Sequence, residues 1–328
     1  MKLRLVIVAV LGVVLALYLI SFAGFGAVAS TAAAVGFGGF ALLCLFVLAL
    51  FPLLGFAWFS VLPRSSGAPF GVLLWARMVR EAATDVLPFS QLGGLALGAR
   101  AAVLHRVSAA WALASTLADV TTELFAQIVY IALGLAILAA RAPRTAFAAS
   151  LTRYFAIGLV LAMAAAAILL TLQRYGHRLT IRLAARFLPR AVVQAEAVGA
   201  ALDAIYTSPV RIALSATVHL AGWVAGAAGT YIAFRLVGTH IDFGSVIAIE
   251  SLVCAVRSAA VVVPNGLGVQ EAAYAILVPL FGVAAPSGLA ISLLKRARDL
   301  AVGVPILLIS QAVEGKRLLA GDDLTGPE

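Results

Sequence analysis

Charge is scarce in this chain. Only 11% of its 328 residues are Asp, Glu, Lys or Arg, while 63% are apolar, and the mean hydropathy is +1.10. A water-soluble domain cannot bury that much apolar surface and still cover itself with polar groups, so that class is excluded. Cysteine is nearly absent. Cys44 and Cys254 lie far apart in apolar surroundings, a pattern that suggests neither a disulfide framework nor a metal site. Catalytic signatures are missing as well: there is no HExxH, CxxC, GxSxG or Walker A sequence, and His105, His177, His219 and His240 share no ligand spacing. No cofactor, metal ion or catalytic residue is expected. The net charge of +9 fits basic loops beside apolar spans better than nucleic-acid binding.

What remains is apolar sequence in helix-length runs. A bilayer crossing needs about 20 apolar residues, and six runs supply them: Leu5 to Phe25, Gly36 to Leu62, Ala110 to Ala140, Phe155 to Leu172, Ile212 to Leu236 and Ser287 to Val313. The expected fold is an all-α polytopic membrane protein, a single integral domain over 1–328. Its first half is 1–173, a basic connection follows over 174–209, and the second half is 210–328. Lys2, Arg4, Arg64, Arg106, the bases from Arg174 to Arg211, Lys316 and Arg317 fall on one side and outnumber Arg141, Arg144 and Arg153 on the other. Basic loops stay in the cytoplasm, which places both termini there.

Two further apolar segments, 70–106 and 243–283, are broken near their midpoints by Pro and Gly. The first break reads Val86-Leu87-Pro88-Phe89-Ser90-Gln91-Leu92-Gly93-Gly94, and the second reads Val263-Pro264-Asn265-Gly266-Leu267-Gly268-Val269-Gln270-Glu271. Each is read as a re-entrant hairpin of two half-helices, with Pro88, Gly93, Gly94, Pro264, Gly266 and Gly268 shaping the tips. Three full spans separate the hairpins, so the repeat is inverted, and paired interrupted segments are the usual pointer to a transporter's binding site. The spacing supports the repeat: Glu123 stands 35 residues after Pro88, and Asp299 stands 35 after Pro264.

Both acids lie inside apolar runs, each with a charged residue four positions earlier, Asp119 and Lys295, on the same helical face. An uncompensated charge at mid-bilayer costs about 2.5 to 3.5 kcal/mol even on the lenient insertion scale. The acidic span carrying Asp119 and Glu123 is therefore expected to meet the basic span carrying Lys295, Arg296, Arg298 and Asp299. The charges line a cavity or merely lock the helices, and sequence leaves both open. At the hairpin tips a new half-helix offers free N–H groups to a polar headgroup, with Gln91, Asn265, Gln270 and Glu271 beside it. Along the connection, Arg174, Arg178, Arg182, Arg186 and Arg190 recur every fourth position as a basic stripe. It suits a helix on an anionic leaflet or a solvated loop helix.

These motifs carry a resemblance. The stretch from Arg80 to Gly94 with Gly98-Ala99-Arg100 after it, and the second break followed by Lys295-Arg296-Ala297-Arg298-Asp299, resemble the flippase-like membrane domain of the lysylphosphatidylglycerol synthase family, closest to its hopanoid-biosynthesis branch. The resemblance covers nearly the whole chain. It implies a lipid translocase of the bacterial inner membrane, moving hopanoid or another polar-headed lipid and without the aminoacyl-transfer activity of the two-domain synthases. The Gly-Glu after Pro in that family's first motif is here Gly93-Gly94-Leu95. Asp119, Glu123, Arg298 and Asp299 are the expected cavity lining, and Gln91, Asn265, Gln270 and Glu271 the headgroup ligands. Partners would be membrane lipids, with no nucleic acid. Two other classes stay open: a non-transporting scaffold that docks lipid-synthesis enzymes on the basic stripe, and a membrane-embedded lipid-modifying enzyme using Glu271 or Asp299.

Overall fold

The computed structural model describes residues 33, 35–87, 90–141, 143, 145–175, 192–260, 263, 266 and 268–320. The chain is all α: among the described residues there are ten α-helices and no strand. In order they are α1 (Gly36–Val61), α2 (Phe70–Val86), α3 (Ser90–Leu104), α4 (Ala109–Arg141), α5 (Ala146–Tyr175), α6 (Val192–Tyr206), α7 (Pro209–Leu236), α8 (Phe243–Ala259), α9 (Val269–Leu277) and α10 (Ala285–Ala320). Helices α1, α4, α5 and α7 are long and apolar enough to cross a membrane. At 36 residues, α10 extends for about 54 Å, but charges interrupt its apolar run. The expected span Leu5 to Phe25 lies outside the described residues.

Helix α5 starts nine residues before the apolar run that predicted it. Thr145 caps its first turn, its Oγ1 accepting from the Ala148 N–H at 3.2 Å, so the helix begins at a polar signal that a hydropathy window passes over. The connection 174–209 is also not all surface chain. Its later part is α6, whose Ala201, Leu202 and Ile205 are buried in the core.

Both broken segments fold back on themselves. Helix α2 ends at Leu87, which is extended (φ −90°, ψ 148°), the conformation forced on a residue that precedes proline. Helix α3 returns in close antiparallel contact. A Cβ added to Gly94 would sit 2.8 Å from the Arg80 carbonyl and 2.2 Å from Thr84 Oγ1, and one added to Gly98 would sit 2.8 Å from Arg80 Cβ. In the second segment, α8 and α9 pair across the break, with Tyr274 of α9 bonded to Glu250 of α8. Gly268 caps α9 at φ 77°, a backbone state that a side chain resists. Pro88 and Pro264 themselves lie outside the described residues.

The core has two lobes. Trp58, Leu73, Ala118 and Val302 belong to one, and Leu43, Leu138, Leu252, Tyr274 and Ile291 to the other. Helices α1, α4 and α10 contribute to both, so neither lobe closes without them. Arg141 at the end of α4 pairs with Asp242, which caps α8 by accepting from the Ser245 N–H at 3.1 Å.

Gly94→Ala should destabilise the first hairpin by about 1 to 3 kcal/mol, because the new methyl meets backbone. Gly93→Ala, whose Cβ meets nothing within 4 Å, should leave the thermal midpoint of the detergent-purified protein unchanged.

Candidate functional site

The face of α4 that carries Ser115, Asp119, Thr122 and Glu123 is turned inward, and α2 brings Arg77 and Arg80 to it. Arg77 donates to Asp119 and to Glu123 at 2.8 Å each, and Arg80 to the same two carboxylates at 2.6 Å each. His219 of α7 meets the other Asp119 oxygen at 2.9 Å, and Glu81 pairs with Arg77 at 2.8 Å. Asp119 is 0% exposed and Arg77 1%. Around them Trp58 Nε1 donates to Ser115 at 3.0 Å, and Thr122 shares a hydrogen bond with Ser215 at 2.8 Å. Four helices, α1, α2, α4 and α7, are thereby tied at one depth.

This differs from the expected partnership. Asp119 and Glu123 do not meet the basic α10; they are taken up by the first hairpin. Arg77 and Arg80 are spaced i, i+3 on the buried face of α2, a signal present in the sequence but passed over there as part of an apolar segment. Asp119, Glu123 and His219 offer ligand atoms within 4.8 Å of one another, a spacing that suits a cation. Two guanidinium groups already neutralise these carboxylates, and a metal ion there would be repelled by both.

The charges in the middle of α10 are satisfied within the second half, while Glu314 near its end pairs with Arg100 of α3. Lys295 pairs with Glu250 of α8 and donates to Tyr274 Oη at 2.8 Å. Arg296 pairs with Glu271 at 2.8 Å, and Glu271 also accepts the Gly268 N–H at 2.9 Å. Gln270 donates to Ser292 at 3.0 Å, and Arg298 pairs with its neighbour Asp299 at 2.6 Å. The two halves thus use one plan with opposite sign. Asp119 and Lys295 each stand 31 residues after their hairpin's Pro; the first meets bases on α2, and the second meets an acid on α8.

Between the hairpins lies a small polar cleft lined by Asp85 at the end of α2, Arg257 at the end of α8, Gln270 at the start of α9, and Arg296 and Asp299 on α10. Gly266 holds φ 57°, and a Cβ added there would sit 3.6 Å from Arg257 Nε. The cleft encloses about 10 Å³, close to the minimum for one water, so this form is closed around it.

Of the expected site residues, Gln270 and Asp299 line this cleft and Arg298 is bonded beside it. Glu271 sits one position on, used as a helix cap and as the partner of Arg296 instead of facing the cleft. Gly94 serves the packing of the hairpin, while Gly93 meets nothing. Gln91 opens α3 and Arg174 lies in the last turn of α5, their side chains not among those described. Asn265, Arg178, Arg182, Arg186 and Arg190 lie outside the described residues. Sequence reading missed Asp85 and Arg257, having looked for polar groups only after each break, and Glu250, an acid inside an apolar run.

Apolar helices of membrane length that carry paired charges in their interior define an all-α polytopic membrane protein. The chain belongs to the family described as the lysylphosphatidylglycerol synthase TM region, which it matches over residues 3–306. Among curated proteins and solved structures, none matches it. Membership gives the protein a lipid-related role in the membrane.

Asp119→Asn should leave two buried guanidinium groups undercompensated and cost about 3 to 5 kcal/mol. Glu271→Ala strands Arg296 and uncaps α9, for a loss of at least about 3 kcal/mol. Glu196→Gln on the exposed face of α6 is the neutral comparison, within about 0.5 kcal/mol. Chemical denaturation in detergent reads all three.

Proposed function

We propose that this protein is a lipid translocase of the bacterial inner membrane, moving a polar-headed lipid, hopanoid or a related isoprenoid first among them, between leaflets. The observation that carries the reading is the polar cleft where both broken segments meet the middle of α10. Charge and irregular backbone are both costly in hydrocarbon, and they are tolerated together where they line a path or a site. Arg257 offers donors, Asp85 and Asp299 offer acceptors, and Gln270 offers both. A headgroup that sheds its water there exchanges hydration for fixed partners.

The closed cleft must open for a headgroup to enter. The hinge positions are at hand: Gly266 and Gly268 hold positive φ at the second break, and Leu87 is extended at the first. The neighbouring ion pairs, Arg296 with Glu271 and Arg298 with Asp299, offer partners that a headgroup can borrow while the tips part. The reading is of a re-entrant, inverted arrangement with cytoplasmic termini, for which the distribution of Lys and Arg is the support. The activity is transport and not chemistry on the lipid. Each carboxylate of the first cluster is already engaged by two guanidinium groups, which leaves it no approach to a lipid bond.

Purified protein in vesicles containing labelled phospholipid or labelled polar-headed isoprenoid tests this. Protein-dependent transbilayer exchange is expected. Arg257→Gln and Asp299→Asn should each slow it by about 5- to 150-fold, the range for losing one buried hydrogen-bonding partner, while Gly93→Ala should not. Absence of protein-dependent exchange for every lipid would reject the translocase.

A further inference from the structure

A second cavity lies on the other side of α9 from the polar cleft. It measures about 540 Å³, and its walls include Leu151 and Phe155 of α5, Val256 of α8, and Val269, Ala272 and Ile276 of α9. Every lining residue is apolar or glycine. The volume falls in the range of sites that enclose a small molecule, about 300 to 1,000 Å³. No polar group is on offer there, so the occupant is hydrocarbon.

The position of this cavity links it to the cleft. Val256 faces the cavity and Arg257, its neighbour on α8, faces the cleft; Val269 and Gln270 divide in the same way on α9. Successive residues on a helix point about 100° apart, so one thickness of hairpin separates an apolar chamber from a charged one. The rim is open. Ala272 and Ile276, one helical turn apart on α9, are both exposed, and the α5 residues beyond Phe155 expose apolar side chains, with Val160 59% and Leu161 64% accessible. In a membrane those faces meet lipid tails. Small residues make the room: Gly268, Ala272 and Ala273 leave space on the α9 wall where larger side chains would fill it.

We propose that this cavity binds the apolar tail of the lipid whose headgroup enters the neighbouring cleft, so that the second hairpin is clasped by the two ends of one molecule. The inference rests on the translocase reading for the identity of the headgroup site, but tail binding is measurable without transport. The tail is a single acyl chain or a flat polycyclic skeleton, and the two sources call for separate probes.

The experiment uses the full chain in nanodiscs with two photoactivatable lipids, a phospholipid carrying a diazirine on one acyl chain and a triterpenoid polyol carrying it on the ring system. Labelled peptides are mapped by mass spectrometry. Labelling of peptides containing residues 151–155 and 269–277 should exceed that of the outward α5 face around Leu161 by about tenfold, a binding difference of about 1.4 kcal/mol. Ala272→Trp, which fills the chamber, should abolish that excess. Ile276→Phe at the rim should reduce it, and it serves if the tryptophan variant does not purify as a single species. Whichever probe labels identifies the source. Labelling equal to that of the outward face, insensitivity to both substitutions, or labels that map instead to residues 1–32 of the same chain would overturn the proposal. Saturable labelling without transbilayer exchange would keep the tail site and reject the translocase. Exchange that persists unchanged in Ala272→Trp would keep the translocase and reject the tail site.

Discussion

Arg77 and Arg80 reach from α2 to the same two carboxylates on α4, and a single charge left over at that depth would cost several kcal/mol. This mutual dependence constrains the helices around it. Helix α2 must lie against α4 with its Arg face inward, and α3 must follow α2 closely, which glycines at 94 and 98 permit. Helix α7 must also present His219 to the remaining Asp119 oxygen. The network is weak evidence for stability in itself, since well-packed apolar side chains often do as well. Its physical effect is to specify one arrangement, because any rotation of α2 or α4 separates charges that hydrocarbon will not solvate.

The second half solves the same problem with the signs exchanged. Lys295 on α10 goes to Glu250 on α8, and Arg296 goes to Glu271 on α9. Each buried cluster is therefore neutralised between a hairpin and the long helix that follows it, while Arg100 with Glu314 and Arg141 with Asp242 pair across the halves nearer their ends. That division leaves the space between the hairpins to a different group: Asp85, Arg257, Gln270 and Asp299 gather there with Arg296. Static pairs hold the hairpins to their own halves, and the cleft sits where the halves meet. Because each buried cluster is paired away from the cleft, the cleft can open without stranding either one, which is the physical basis for reading it as the working site.

The hairpin breaks illustrate how one residue serves two demands. Gly268 takes a backbone conformation that starts α9, and its N–H is satisfied by Glu271. The same start places Gln270 toward the cleft and Val269 toward the apolar chamber. A regular helix through this region would offer only one continuous face to each neighbour.

Much was legible before any coordinates. Four long apolar helices, both broken segments and the membrane class follow from local properties, because hydropathy over about 20 residues and the backbone limits of Pro and Gly act within a few turns. Asp119, Glu123, Lys295 and Asp299 stood out for the same reason, as charges inside apolar runs. Which charge meets which was not legible. Arg77 lies 42 residues from Asp119, and Glu250 lies 45 from Lys295. Pairing over such distances depends on how each helix is rotated and where the hairpins return, and both are settled by packing. The sequence by itself determined a helical membrane protein with two interrupted segments and buried charges that needed partners. Only the tertiary structure decided that α4 is neutralised by α2 and α10 by α8 and α9, because the cost of an unpaired charge says that a partner must exist, and the fold alone brings one within reach.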